Sequence, residues 1–228
     1  MSNNKNQKSR LHDEKGNLVS TKNIVLHLLP AFSSGMGRVL FNYRPQLPWI
    51  SYTAIKEIRK HLNMNSIVLE FGSGMSTLWF SKYVKQIYSV EDNKAWFDKL
   101  SKIINIKKIR NVTYRYLTEI DYFTFMSDQE IKFDLILVDG SFRDQCIKHA
   151  INNLKEGGIL YLDNSDKYPF ISETAIIPVV GNIRFAEKMI LEYSKNNNCI
   201  TKYFTDFAPT QFFVQQGLML KNKSSNKD

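Results

Sequence analysis

Four carboxylic residues, Glu70, Glu91, Asp139 and Asp163, each close a short apolar run. Such runs have the length and β-branched content of buried strands. In an open α/β sheet, ligands sit beyond the carboxyl ends of the strands, so these acids would share one edge. Four carboxylates there call for cationic or metal partners, because unpaired buried charge is costly.

The densest signal is residues 66–91, SIVLEFGSGMSTLWFSKYVKQIYSVE. The run Ile67-Val68-Leu69 breaks at Glu70-Phe71-Gly72-Ser73-Gly74, then helical spacing resumes through Leu78, Trp79 and Tyr83. A second run, Ile87 to Val90, ends in Glu91. Strand, glycine turn, helix, strand and acid make the βαβ unit of a nucleotide-binding α/β fold. Gly72 and Gly74 let a ligand approach the main chain, and the helix after them turns its N–H groups toward it. Glu91 lies 19 residues beyond Gly72, close to the spacing at which an acid accepts ribose hydroxyls. A dinucleotide fingerprint wants a third glycine where Thr77 stands, which ranks a nicotinamide oxidoreductase last.

Glu70-x-Gly72-x-Gly74 resembles the first motif of class I S-adenosylmethionine-dependent methyltransferases. Phe133 to Gly140 resembles that family's fourth motif, and Leu154-x-x-Gly157-Gly158-x-Leu160 is similar to another of its recurrent features, with Glu156-Gly157-Gly158 read as a tight turn into a fifth strand, Ile159 to Leu162. The resemblance runs from about residue 49 to 220. It implies a Rossmann-like three-layer α/β sandwich. The sheet would have seven mostly parallel strands with an antiparallel last strand, and helices on both faces. It also implies S-adenosylmethionine as cofactor, with Glu70 near its ammonium group. Gly72, Ser73, Gly74, Ser76, Thr77, Glu91, Asp92 and Asp139 would line the rest of its site. Glu119 or Asp121 would reach the adenine.

Asp139 and Asp163-Asn164 also resemble the ligand set of cation-dependent O-methyltransferases. There a Mg²⁺-type ion binds neighbouring acceptor hydroxyls and lowers the pKa of one. The lysine those enzymes carry shortly after the first Asp is not matched, since Ser141-Phe142-Arg143 stands there. Asp139 and Asp163 are the candidate catalytic residues, with His149 a weaker base. Asp139, Asp163 and Asn164 are the candidate metal ligands.

Helices must position these residues. Ser51 can cap a helix through Leu62, with Ala54, Ile55 and Ile58 on one face. Asp92-Asn93 can cap another, and 183–195 carries helical spacing. Residues 200–207 and 210–220 read as a closing strand pair. Residues 1–22 read as a mobile polar tail, 23–62 as a cap segment, 63–220 as the methyltransferase domain and 221–228 as a second tail. Within the cap segment, an apolar patch at 24–29 is closed by Pro30, and Pro48-Trp49-Ile50 is a candidate lid.

At 228 residues the chain holds one sizeable domain. Net charge is +9 and the pI about 9.4, with lysines spread along the sequence as on a solvated surface. Cys146 and Cys199 form no CxxC, which fits a reducing, cytoplasmic setting. No apolar run approaches the ~18 residues of a membrane span. The expected activity is methyl transfer to an oxygen or nitrogen of a small molecule or saccharide. The alternatives are an RNA methyltransferase, favoured by the basic pI, and a non-catalytic cofactor-binding protein. The aromatic-rich stretches 116–125 and 203–213 could serve a homo-oligomer interface.

Overall fold

The computed structural model describes residues 9–167 and 183–223. Its centre is a seven-stranded sheet in the order β3-β2-β1-β4-β5-β7-β6. The strands are β1 Ile67–Phe71, β2 Gln86–Glu91, β3 Val112–Tyr116, β4 Phe133–Val138, β5 Leu154–Leu162, β6 Ile200–Phe207 and β7 Val214–Lys221. Strands β1 to β5 pair in parallel, and β7 runs antiparallel to both β5 and β6. The sheet expected from the sequence is therefore present, with β7 as its one antiparallel strand.

The helices are α1 Thr21–Phe41, α2 Tyr52–His61, α3 Met75–Phe80, α4 Lys94–Ile106, α5 Glu119–Phe123, α6 Arg143–Ala150 and α7 Ile183–Asn196. Strand alternation divides the core between the two sheet faces. Leu69 and Phe71 of β1, Ile136 and Val138 of β4, and Leu160 and Leu162 of β5 pack with α6 and α7. Val68, Leu135, Leu137, Ile159 and Tyr161 face the other way, onto α2 and onto Trp79 and Phe80 of α3. Ser51 caps α2 and Asn93 caps α4, each accepting a backbone N–H three residues on.

Three local expectations need correction. Pro30 does not close the apolar patch but lies inside the 21-residue helix α1. The stretch around Gly157, with φ +71°, does not lead into β5 as a turn; it is an irregularity within β5, where the register against β4 shifts. Of the segment expected to be a mobile tail, residues 9–22 fold back on the sheet, while 1–8 lie outside the described residues. Asp13 is fully buried there. Its carboxylate accepts from the backbone N–H of Lys15 and Asn17, from Thr205 Oγ1 at 3.0 Å and from Gln216 Nε2 at 3.0 Å. A short polar segment is thereby tied to β6 and β7, which composition alone does not reveal.

Candidate cofactor cleft

The glycine turn is set by backbone crowding. Gly72 has φ +90°, and a Cβ there would come within 2.5 Å of Gly140 N. The ends of β1 and β4 thus touch main chain to main chain, a contact only glycine permits. Gly74 is extended, at φ −173°, and the nearest atom to a Cβ there is Ser76 Oγ at 3.5 Å. Its freedom from a side chain serves open space rather than packing.

Glu70, expected beside the cofactor's ammonium group, sits near the end of β1 beneath the glycine turn. It is fully buried under α3 and accepts hydroxyl hydrogens from Ser76 and Thr77 at 2.5 Å and from Ser89 at 2.6 Å. Thr77 Oγ1 in turn accepts the Gly74 N–H at 3.0 Å. Burial pushes the Glu70 carboxyl up to about 7, against the three hydroxyl donors that favour its charge. Glu70 and Thr77 thereby clamp the glycine turn onto the start of α3 from behind.

Glu91 does the same from the side. One carboxylate oxygen accepts Ser73 N–H at 3.1 Å and Ser73 Oγ–H at 2.9 Å, and the other accepts Asn93 N–H at 2.9 Å. Tyr114 Oη meets Ser73 Oγ at 2.6 Å, and burial pushes that phenol well up. Trp96 Nε1 donates to Ser73 O at 2.9 Å. Asp92 stands half-buried beside Glu91.

Gly72, Ser73 and Gly74 form one wall of a cleft of about 190 Å³, continued by Met75, Ser76 and Asp139. Arg44, Trp49 and Trp96 complete its lining. The Arg44 guanidinium lies 5.5 Å from the Trp49 ring and 5.1 Å from the Trp96 ring, and Arg38 lies 4.9 Å from Trp49. Arg44 Nε and Trp49 Nε1 are buried without a hydrogen-bond partner among the described residues. Of the residues expected from the sequence, Gly72, Ser73, Gly74, Ser76 and Asp139 line this cleft. Glu70, Thr77, Glu91 and Asp92 do not line it, nor do Glu119 and Asp121, which are exposed at the start of α5. Arg44 and Trp96 were missed. Trp96 reads as one more apolar residue of an amphipathic helix, and Arg44 as a linker charge.

The proposed metal ligands are held instead by Arg143, a buried residue of α6. Its guanidinium donates to Asp139 O at 2.9 Å and Asp139 Oδ1 at 3.2 Å. It also donates to Asp163 O at 2.5 Å, Asn164 Oδ1 at 3.3 Å and, through Nε, Gly140 O at 2.9 Å. Asn164 Nδ2 and Asp163 Oδ1 are further engaged by Gln215. A permanent cation thus occupies the position between the two strand ends, so the three residues do not fit a divalent ion. The assignment of Asp139, Asp163 and Asn164 as metal ligands is corrected accordingly. Burial pushes the Asp163 carboxyl well up, with the nearby Asp139 adding to the rise; Asp139 is also raised by burial, while Arg143 and a hydrogen bond with Asp163 oppose the rise. Asp139 keeps 30% of its side chain exposed, whereas Asp163 is buried. His149 stacks on Phe123 at 5.6 Å, away from the cleft wall.

No family model and no curated protein matches the sequence. Solved structures do match. An O-methyltransferase from Bacillus cereus in complex with SAH is 18% identical with a TM-score of 0.62, over 89% of this chain and 96% of that one. The O-methyltransferase TomG from Streptomyces achromogenes, in complex with SAM, is 12% identical with a TM-score of 0.61, over 90% and 97%. An rRNA methylase from Streptococcus thermophilus is 14% identical with a TM-score of 0.54, over 76% and 96%. With the sheet order and the glycine turn described above, these likenesses show that the chain has the class I S-adenosylmethionine-dependent methyltransferase fold.

Proposed function

We propose that this protein is an S-adenosylmethionine-dependent methyltransferase acting on an oxygen or nitrogen of a small molecule or saccharide. The observation that carries the reading is the cleft itself. A glycine turn clamped by Glu70 and Glu91 lines it together with two tryptophans and an arginine, with one carboxylate, Asp139, on its wall. The aromatic pair suits a planar base, and the unpartnered Arg44 and Trp49 donors suit a carboxylate or hydroxyl. The open side of Gly74 leaves room for close approach to the main chain. The bound sulfonium supplies an activated methyl group. The chain's residues supply alignment and proton removal.

Asp139 is the group placed to accept the acceptor's proton. Its charge is favoured by Arg143 and by a hydrogen bond with Asp163, whose own carboxyl burial pushes well up. Asp163, buried where Asp139 is not, is the positioning residue of the two rather than the catalytic one. Transfer of labelled methyl from the cofactor tests the reading, with pooled small-molecule and saccharide acceptors set beside RNA. Label is expected in the first pool. Asp139→Asn should remove the acid limb of the pH profile of kcat/KM, because that limb reports protonation of the raised Asp139 carboxyl. Label in RNA alone would favour the RNA reading, for which the rRNA methylase likeness and the +9 charge speak. Cofactor binding without transfer to any acceptor would favour the non-catalytic one. The two free cysteines, one of them buried, fit the expected cytoplasmic setting.

A further inference from the structure

Helix α1 is inverted relative to an ordinary surface helix. The face toward the protein is small and polar. Ala31 and Gly35 are buried there, Ser34 Oγ accepts Thr210 N–H at 2.9 Å, and His27 pairs with the buried Asp206 at 2.9 Å. The outward face is apolar: Val25 is 76% exposed, Leu29 72%, Phe32 52% and Leu40 61%. Ile24, Val25, Leu28, Leu29 and Phe32 line an open groove on its flank. By length and composition alone this helix could cross a membrane, contrary to the expectation that no apolar run comes near that length. Its inner-face bonds hold it along β6, the posture of a helix that lies on a surface rather than one that crosses it.

A second groove borders the same helix and carries charge. Leu18, Lys22 and Leu26 line it together with Lys56 and Lys60 of α2 and Lys202 of β6. Among the described residues that line the groove, these four lysines meet one acid, Glu57, which sits 3.9 Å from Lys60. Helix α1 itself contains no acidic residue and carries Lys22 and Arg38 near its two ends. An antiparallel pairing with a second copy would set Lys22 against Arg38 with nothing in either helix to offset them.

We propose that α1 and the adjoining lysine groove form a docking surface for an anionic lipid bilayer. Val25, Leu29, Phe32 and Leu40 enter the acyl boundary, and Lys22, Lys56, Lys60 and Lys202 take the headgroup phosphates. Burial of apolar side chains plus attraction of lysines to anionic lipid is how interfacial helices bind, each lysine near the surface contributing about fivefold. The surface lies outside the cofactor cleft, so this inference stands independently of the methyl-transfer reading.

The test is co-sedimentation of the full chain with vesicles of phosphatidylcholine alone or mixed with phosphatidylglycerol, beside light scattering of the free protein. Binding is expected on the mixed vesicles, about tenfold or more above phosphatidylcholine alone, and weakening as salt rises. Leu29→Glu should return it to the phosphatidylcholine level with an unchanged melting temperature. Lys56→Glu with Lys60→Glu should lower it by more than tenfold while leaving cofactor affinity unchanged. Absence of vesicle binding, or equal binding to both vesicle types, would overturn the proposal. So would a dimer that Leu29→Glu disperses while vesicle binding is unaffected, since a second copy would then own the face.

Discussion

At the residue scale, the two glycines of the turn separate packing from ligand approach. Gly72→Val adds a Cβ against Gly140 and forces a β-branched residue to φ +90°, so it should destabilise the fold by several kcal/mol and remove cofactor binding. Gly74→Ala meets no close atom and adopts an extended φ. Its melting temperature should stay near that of the wild type, while affinity for S-adenosylhomocysteine falls about tenfold because the methyl intrudes on the cleft. Chemical melts beside binding titrations of the two variants distinguish the cases. Glu70 gives a pH prediction of unusual sign. A folded pKa raised to about 7 means the native state binds more protons than the unfolded chain. Its contribution is favourable below the ordinary carboxylate range and is lost as pH rises through about 7. The wild type should therefore lose more stability than Glu70→Gln between about pH 5 and pH 8 in thermal melts. Equal slopes would place the titration elsewhere.

At the scale of elements, the segment between α1 and α2 forms the cleft's outer wall. Trp49 stands between Arg38 and Arg44, and its carbonyl accepts from Gln215 Nε2 at 3.2 Å. Trp49→Ala should weaken S-adenosylhomocysteine by about tenfold, in line with the loss of one aromatic stacking surface, and Trp49→Phe should restore most of it. Dissociation rates measured by stopped flow would show whether the loss falls on release, as expected of a closing wall. This wall was only half legible in the sequence. The prolines marked an extended segment, and Trp49 stood out within it. Nothing local says that Arg44 will reach Trp96, because that contact spans 52 positions of chain. The βαβ unit was legible because strand period, glycines and terminal acids are all local. The hydrogen bonds of Glu70 and Glu91 were not, since a motif fixes position but not which donors a carboxylate meets. Arg143 was visible only as a missing lysine. Its true meaning, a cation already lodged between two strand ends, needs β4 and β5 side by side.

At the scale of the whole molecule, the sheet places two clamped loops and one exposed carboxylate at a single edge, and the N-terminal segment folds over that edge. The sequence class of the fold followed from alternation, but the attachment of residues 9–22 through Asp13 did not, because a buried aspartate in a polar stretch looks like any surface acid. The basic charge likewise had no address until the lysines of α1, α2 and β6 met in one groove. The Arg143 bridge carries its own consequence for the molecule as a whole. Methyl transfer should be unaffected by excess chelator, whereas Arg143→Met should cost about 3–5 kcal/mol of stability by leaving Asp139 without its charge partner. Loss of turnover on chelation, restored by Mg²⁺, would contradict the account of that site.

The central claim is the cofactor cleft, and calorimetric titration of the purified protein with S-adenosylhomocysteine tests it most directly, with NAD run beside it and Mg²⁺ present or absent. The expected result is saturable one-to-one binding of S-adenosylhomocysteine, indifferent to Mg²⁺, much weaker in Gly74→Ala, and no binding of NAD. A folded protein that takes up no S-adenosylhomocysteine, or that prefers NAD, would contradict it.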